Sequence, residues 1–525
     1  MKNYRCLYNH ELLILFTAQS PYQTYETDVS EENVRGFVRE LKGTQVDALL
    51  ACPTAWKMPL YHSKFDPRWE APPLGREADP LPESDSLFGD KVFHRVRRAM
   101  EKGLDPVGLT LKTCREIGLD FFISYRMNEL HYNHFPDYPT HSPFWKKHWK
   151  THGLPSRHLD YKHEIVREHY LDLLFEMIDL YELDGLELDF CRFPKFFRDE
   201  EVEAGIPLMN DFVGKVRKKL DETGKARGKN LPLCVRVLRS PSAARALGLD
   251  VAAWDREGLV QMVNVSPFAQ ITPDIDIEGF KDISKKAKVY GEMNYFTTTG
   301  ETPWGFHHGT WRHANAFQYE TIALDLLDRG ADGLSFFNFA YVRDHVFSDP
   351  RMAHYPGAEP PYEILKTILD EKHLRSRPKH YPVHGYVWPG ITGECSLGIP
   401  ATLNPHEENI VRLHIADRFE KGHPFQSALL RLEGEKDIVG QKLIVRINGK
   451  ELHSTHGQGE LFPPITALCL PRYENLLFYE VPLDCLRHGI NEISLMNLRI
   501  RHGHYPHPYV KIKALELAIY PWKIA

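Results

Sequence analysis

Between Asp184 and Pro194 the chain reads Asp184-Gly185-Leu186-Glu187-Leu188-Asp189-Phe190-Cys191-Arg192-Phe193-Pro194. If this run is a strand, its alternation sends Gly185, Glu187, Asp189 and Cys191 to one face and Leu186, Leu188 and Phe190 to the other. Two carboxyl groups two residues apart on an enclosed face are costly unless paired or used. Used, they would do acid–base or nucleophilic work. Asp189 lies nearer the carboxyl end and is the better placed for it, whereas Glu187 is deeper and reads as a hydrogen-bonding partner. The structural alternative is neutralisation by a nearby cation, and Arg126, Arg192 and Arg236 are the candidates.

The run resembles the fourth-strand signature of the family-10-like glycoside hydrolases, D-G-[IVL]-x-[LF]-D-[YFD]-x-R-[YF]-P. Asp184, Gly185, Leu186, Leu188, Asp189, Phe190, Arg192, Phe193 and Pro194 all fit it. The resemblance implies a TIM barrel acting on carbohydrate, with Asp189 at the catalytic centre. The same residues are similar, more weakly, to the chitinase-type string D-G-x-D-x-D-x-E. Cys191 stands where that string has its catalytic Glu, and a thiol does not serve as that acid.

Glycoside hydrolysis needs a second carboxyl group to protonate the leaving oxygen or to activate water. Glu292, in Val289-Tyr290-Gly291-Glu292-Met293-Asn294-Tyr295-Phe296, is the expected partner, near the end of a seventh strand. Its structural alternative is a pair with Arg236. A separation of about 5–5.5 Å would mean retention of configuration, and one of about 6.5–9.5 Å inversion. Other strand ends supply expected sugar contacts: Arg126, Asn128 and His131 after the third strand, Arg236 at the fifth, Asn264 at the sixth, Tyr295 at the seventh and Asn338 at the eighth. Arg192 would position Asp189. Several arginines near one mouth would suit an anionic sugar through bidentate pairing. Trp304, with Trp56, Trp145 and Trp149, could stack on the apolar face of a sugar ring or simply pack its loop.

These residues must be positioned by a scaffold. Up to about residue 376, β-rich runs alternate with helical patterns, the text of a parallel sheet with crossovers. Strands are predicted at Leu12–Ala18, Val46–Cys52, Asp120–Arg126, Gly185–Phe190, Leu233–Leu238, Val260–Val265, Val289–Tyr295 and Gly333–Phe339. Helices are predicted between them, the clearest at Lys162–Leu180, where Val166, Tyr170, Leu173, Met177 and Tyr181 form one stripe. Asp28 is the expected cap of a helix at Glu31–Leu41. Eight strands with crossovers is the count of a (β/α)8 barrel, and no G-x-G-x-x-G follows the first strand to argue for a dinucleotide fold. The stretches 55–90 and 129–159 read as long functional loops. From about residue 377 short alternating runs take over, predicting an antiparallel β-sandwich over 377–525 after the barrel of 1–376.

Composition sets outer limits. At 525 residues the chain is too long for one ordinary core. Lys plus Arg number 65 against 71 Asp plus Glu, a net charge of −6 that argues against a nucleic-acid binder. No run approaches the roughly 20 apolar residues of a membrane span. The eight cysteines show no C-x-x-C spacing and several fall in apolar runs, so reduced thiols and a cytoplasmic location are expected, or secretion if a leader has been removed. His163-Glu164-Ile165-Val166-Arg167 begins like H-E-x-x-H but carries Arg where the second His belongs, so no metal site is expected. The expectation is a carbohydrate-cleaving enzyme without cofactor, whose partner is its carbohydrate substrate. Two alternatives stand beside it: a non-catalytic glycan-binding barrel, and a metal-assisted lyase or isomerase on the same fold.

Overall fold

The computed structural model describes residues 2–18, 20–21, 27–69, 86–268, 270–298, 311–343, 359–385, 395–435, 438–457, 459–465, 473–498 and 509–522. Eight parallel strands close into a barrel: β1 (Cys6–Glu11), β2 (Ala48–Cys52), β3 (Asp120–Arg126), β4 (Gly185–Asp189), β5 (Leu233–Leu238), β6 (Met262–Ser266), β7 (Lys288–Met293) and β8 (Gly333–Phe336). Closure is direct, because β1 pairs with both β2 and β8. Each strand sends alternate residues inward. Leu7, Ala48, Leu50, Phe122, Cys234, Met262 and Tyr290 form an apolar floor. Two residues further along, the same faces carry Asn9, Ser124, Arg236, Asn264 and Glu292, all buried. The barrel is therefore apolar at its amino end and polar towards its carboxyl end.

Gly185 explains one part of the strand-four signature. A Cβ there would lie 2.4 Å from the Phe122 ring, so the floor closes only with glycine at this position. Asp184 explains another. Its carboxylate accepts from the amide of Phe121 at 3.0 Å and pairs with Arg115 at 2.6 Å, tying the start of β4 to β3. Both residues build the fold and stand away from the carboxyl end.

Several local expectations are corrected. The first strand is Cys6–Glu11, and the predicted run Leu12–Ala18 instead holds a short helix, Ile14–Thr17. Ser30, not Asp28, caps the helix Glu31–Arg39: its hydroxyl accepts from the Asn33 amide while Asn33 Oδ1 accepts from the Ser30 amide. Asp28 pairs with Arg98 and Lys102. The stretch 129–159 is not loop throughout, because Pro143–His152 is helical, capped by Ser142. The predicted helix Lys162–Leu180 is found at Glu164–Leu180.

Beyond the barrel, two antiparallel sheets face each other. One runs in the order Lys379–His384, Val510–Pro521, Phe425–Gly434, Leu476–Val481, His453–Thr455; the other runs Glu408–Ile415, Gly489–Asn497, Leu443–Ile447, Lys450–Glu451. Val411, Leu413 and Ile415 from one sheet and Leu430, Leu432, Leu515 and Leu517 from the other fill the space between them. Among the described residues seven cysteines are free and buried. Among the described residues no helix is long and apolar enough to cross a membrane.

Candidate active site

Asp189 ends β4, Arg236 lies opposite it in register on β5, and Glu292 stands on β7, with one strand between the last two. The pleat turns all three inward, and the curvature of the barrel brings them onto one guanidinium. Arg236 Nη1 donates to Asp189 Oδ1 and Oδ2 at 3.0 and 3.2 Å. Its Nε and Nη2 donate to the two oxygens of Glu292 at 2.5 and 2.7 Å, a side-on bidentate pair. Nη2 also reaches Ser266 Oγ at 2.9 Å, and the guanidinium lies 3.7 Å from the centre of the Phe337 ring. All three side chains are covered: Asp189 is 1% exposed, and Arg236 and Glu292 are 0%.

Glu187 lies one layer deeper. It accepts from Ser124 Oγ at 2.6 Å and from Asn264 Nδ2 at 3.1 Å, and the same Asn264 amide reaches Glu292 at 3.3 Å. Burial and the neighbouring Asp189 carboxylate push the Glu187 carboxyl up to about 7. Burial also raises Glu292, against the Arg236 guanidinium and the Ser266 hydroxyl, which favour its ionised form. The electrostatic reason is simple. Three carboxyl groups face one buried cation, and a net negative charge out of water is relieved by holding protons.

A second cluster adjoins the first, since Arg126 on β3 is in register with Asp189 on β4. Arg126 at the end of β3 pairs with Glu11 at the end of β1 at 2.6 Å and with Glu129 at 3.2 Å. Glu129 also contacts His131 Nδ1, and His131 Nε2 meets Arg192 Nη2 at 3.1 Å. Against its burial, the His131 imidazole and the Arg126 guanidinium hold Glu129 well below the usual carboxylate range. Arg192 leaves β4 just before Phe193, whose φ of 50° lies in the left-handed region that non-glycine residues rarely adopt. Beside this cluster is a cavity of about 60 Å³ lined by Trp56, Lys57, Tyr125, Arg126, Asn128, Glu129 and Trp145, among others. At roughly 10–15 Å³ per water it has room for a few waters, less than a sugar ring.

The sequence-predicted residues therefore divide. Asp189, Glu292, Glu187, Arg236 and Asn264 come together in one network, while Arg126, His131 and Arg192 form the neighbouring one. Asn128 donates to the carbonyls of Leu159 and Lys195 at 3.3 and 2.8 Å, a fold-holding contact, although it also lines the cavity. Tyr295 is buried against His313 and Tyr341, and Asn338, just past β8, has φ 54° and a side-chain oxygen without a partner among the described residues. Trp304 lies outside the described residues. Glu11 was not anticipated. Once β1 is placed at Cys6–Glu11, Glu11 occupies the strand-end position that Arg126 and Asp189 occupy on theirs. Asn9, on the same face, is buried, and neither of its side-chain amide atoms has a hydrogen-bond partner among the described residues. Of the arginines at the mouth, Arg126 and Arg236 pair with carboxylates as above and Arg239 pairs with Asp274.

No known family model matches the chain, and no curated protein matches it. Similar solved structures include chitinase ChiW from Paenibacillus sp. str. FPU-7, 9% identical over 94% of this chain and 52% of that one, with a TM-score of 0.37. The chain spans about half the length of ChiW. Alpha-L-fucosidase isoenzyme 1 from Paenibacillus thiaminolyticus is 12% identical over 94% of this chain and 97% of that one, with a TM-score of 0.35. The PgaB (BpsB) glycoside hydrolase domain from Bordetella bronchiseptica is 10% identical over 67% of this chain and 98% of that one, with a TM-score of 0.38. These three neighbours are glycoside hydrolases, but likeness at this level assigns no residue a role. The barrel itself stands on its strand pairing.

Proposed function

We propose that the chain is a glycoside hydrolase whose chemistry is centred on Asp189 and Glu292. The observation that supports this reading is the convergence of the two carboxyl groups, from β4 and β7, on opposite edges of the Arg236 guanidinium. Asp189 acts as nucleophile or general base at the anomeric carbon. Arg236 Nη1 and the Cys191 amide both donate to Asp189 Oδ1, at 3.0 and 2.9 Å, and hold the carboxyl group in place. Glu292, whose carboxyl burial raises, gives its proton to the glycosidic oxygen as the carbon–oxygen bond breaks. Glu187 holds Asn264 and Ser124 in place beneath them, and Arg192 borders the mouth. The substrate is an oligo- or polysaccharide. The residues 377–525 serve as a second domain packed on the barrel of residues 1–376.

A second reading, a glycan-binding barrel without turnover, is favoured by one observation: the acidic pair is covered and already joined to an internal cation. A panel of neutral and acidic polysaccharides offered to wild type and to Asp189→Asn separates the two. Cleavage by wild type and none by the variant supports hydrolysis. Binding without cleavage by wild type, with affinity unchanged in the variant, supports the second reading.

A further inference from the structure

From the geometry at the seam between the barrel and the C-terminal sheets, we infer a binding site for a zinc-class divalent cation formed by Asp328, His414 and His488. Asp328 closes the helix Ala316–Asp328, His414 lies on the strand Glu408–Ile415, and His488 immediately precedes the strand Gly489–Asn497. Antiparallel pairing sets His414 opposite Ile490, two residues beyond His488, so the two histidines are diagonal neighbours on one sheet. Their rings stand edge to face at 5.9 Å, beside the carboxyl end of the barrel helix.

The ligating atoms are close to what such an ion requires. Asp328 Oδ2 lies 2.7 Å from His488 Nε2 and 3.7 Å from His414 Nε2, and one ligand atom of each residue falls within 4.8 Å of the others. Around a tetrahedral ion bound at 2.0–2.1 Å, neighbouring ligand atoms lie about 3.4 Å apart. Sub-ångström to ångström adjustments of three side chains would meet that. Two imidazoles and one carboxylate suit zinc or a similar first-row ion, not calcium or magnesium, which prefer oxygen ligands throughout.

The surrounding contacts favour the same reading. His414 Nδ1 is 2.7 Å from Asp325 Oδ1, a carboxylate oxygen that can only accept, so with metal bound the Nδ1 proton would go to Asp325 and Nε2, the nitrogen nearer Asp328, would face the ion. That is the carboxylate–histidine arrangement that fixes the tautomer of a ligating imidazole. Each carboxylate divides its oxygens. Asp328 offers Oδ1 to Arg375 at 3.1 Å and keeps Oδ2 for the histidines, while Asp325 offers Oδ2 to Arg329 at 3.5 Å and Oδ1 to His414. The His488 side chain is 39% exposed, which leaves an approach from water and a fourth position for a water ligand. Bound there, the ion would join the barrel helix to the C-terminal sheet.

The test uses the full chain after chelator treatment, titrated with Zn2+ by calorimetry and by thermal unfolding. We expect one equivalent bound, with a rise in unfolding temperature that saturates with the metal. His414→Ala and His488→Ala should each weaken binding at least about tenfold, and Asp325→Asn, which removes the carboxylate that orients His414 and also pairs with Arg329, by roughly tenfold. His373→Ala, on the nearby helix Glu371–Ser376, should bind as wild type. Because the metal-dependent increment is read against each variant's own metal-free unfolding, a loss of basal stability does not obscure it. Co2+ in place of Zn2+ should give the intense visible absorption of a four-coordinate site. No saturable binding by the parent chain up to about 100 µM Zn2+ would overturn the inference. So would binding that both histidine variants retain in full.

Discussion

Glu292 receives Arg236 side-on, oxygen for nitrogen, at 2.5 and 2.7 Å, in a barrel interior where both side chains are fully buried. The remaining edge of that guanidinium holds Asp189. A pair formed this deep contributes little net stability compared with apolar packing, but breaking it strands charge out of water. Arg236→Met should therefore destabilise the fold by about 3–5 kcal/mol, read as a lower midpoint of urea unfolding. A loss below about 1 kcal/mol would mean that the two acids find other partners.

The apolar floor makes a separate demand. Gly185→Ala puts a methyl group 2.4 Å from the Phe122 ring, which is itself fully buried. Overpacking of this kind costs roughly 1–3 kcal/mol, so the variant should unfold earlier while any cleavage per folded molecule persists. Thermal unfolding beside a turnover assay checks both parts.

Glu187 gives a pH dependence with a definite sign. Its folded-state value of about 7 stands above the ordinary 4.5, so the native state holds this proton more tightly than the unfolded chain. The stability tied to it is fully present below 4.5 and is lost as pH rises through 7. Glu187→Gln cannot titrate. Its stability relative to wild type should therefore climb between pH 4.5 and 7 and level off above. Parallel unfolding curves for the two proteins across that range would refute the assignment.

Arg192 differs from the other rim arginines in what it touches. Its contact is the His131 ring nitrogen, whereas Arg126, Arg236 and Arg239 face protein carboxylates. If an acidic sugar is bound, Arg192 is the residue placed to meet it. Arg192→Ala should then weaken an acidic oligosaccharide by about ten- to a hundredfold, the worth of a charged hydrogen bond, and leave a neutral one unchanged. Equal loss for both would assign Arg192 to loop packing around Phe193 instead.

Much of this arrangement is legible in the sequence because a strand repeats every two residues. The alternation in β4 isolates Glu187 and Asp189 from Leu186 and Leu188, and the same rule finds Glu292 and Asn264. It fails at β1, where Asn9, His10 and Glu11 look like loop because they are polar, yet are buried because they line the barrel or face a helix. Misplacing that strand hides Glu11 and its pair with Arg126. The choice between a working and a neutralised acid is also out of reach of spacing alone. Arg236 was a candidate partner for both acids, and only the curvature of the sheet brings one guanidinium to two carboxyl groups three strands apart. The cluster of Asp328, His414 and His488 is further still from local reading, since its members come from three segments joined only by packing.

The most direct test of the account is turnover by Asp189→Asn. Amide replaces carboxylate with almost no change of volume, so the barrel should stay folded, with an unfolding midpoint near that of wild type. Wild type should cleave at least one member of a polysaccharide panel, and the variant should do so about 10²- to 10⁴-fold more slowly with its binding retained. A folded Asp189→Asn that cleaves at the wild-type rate would contradict the account.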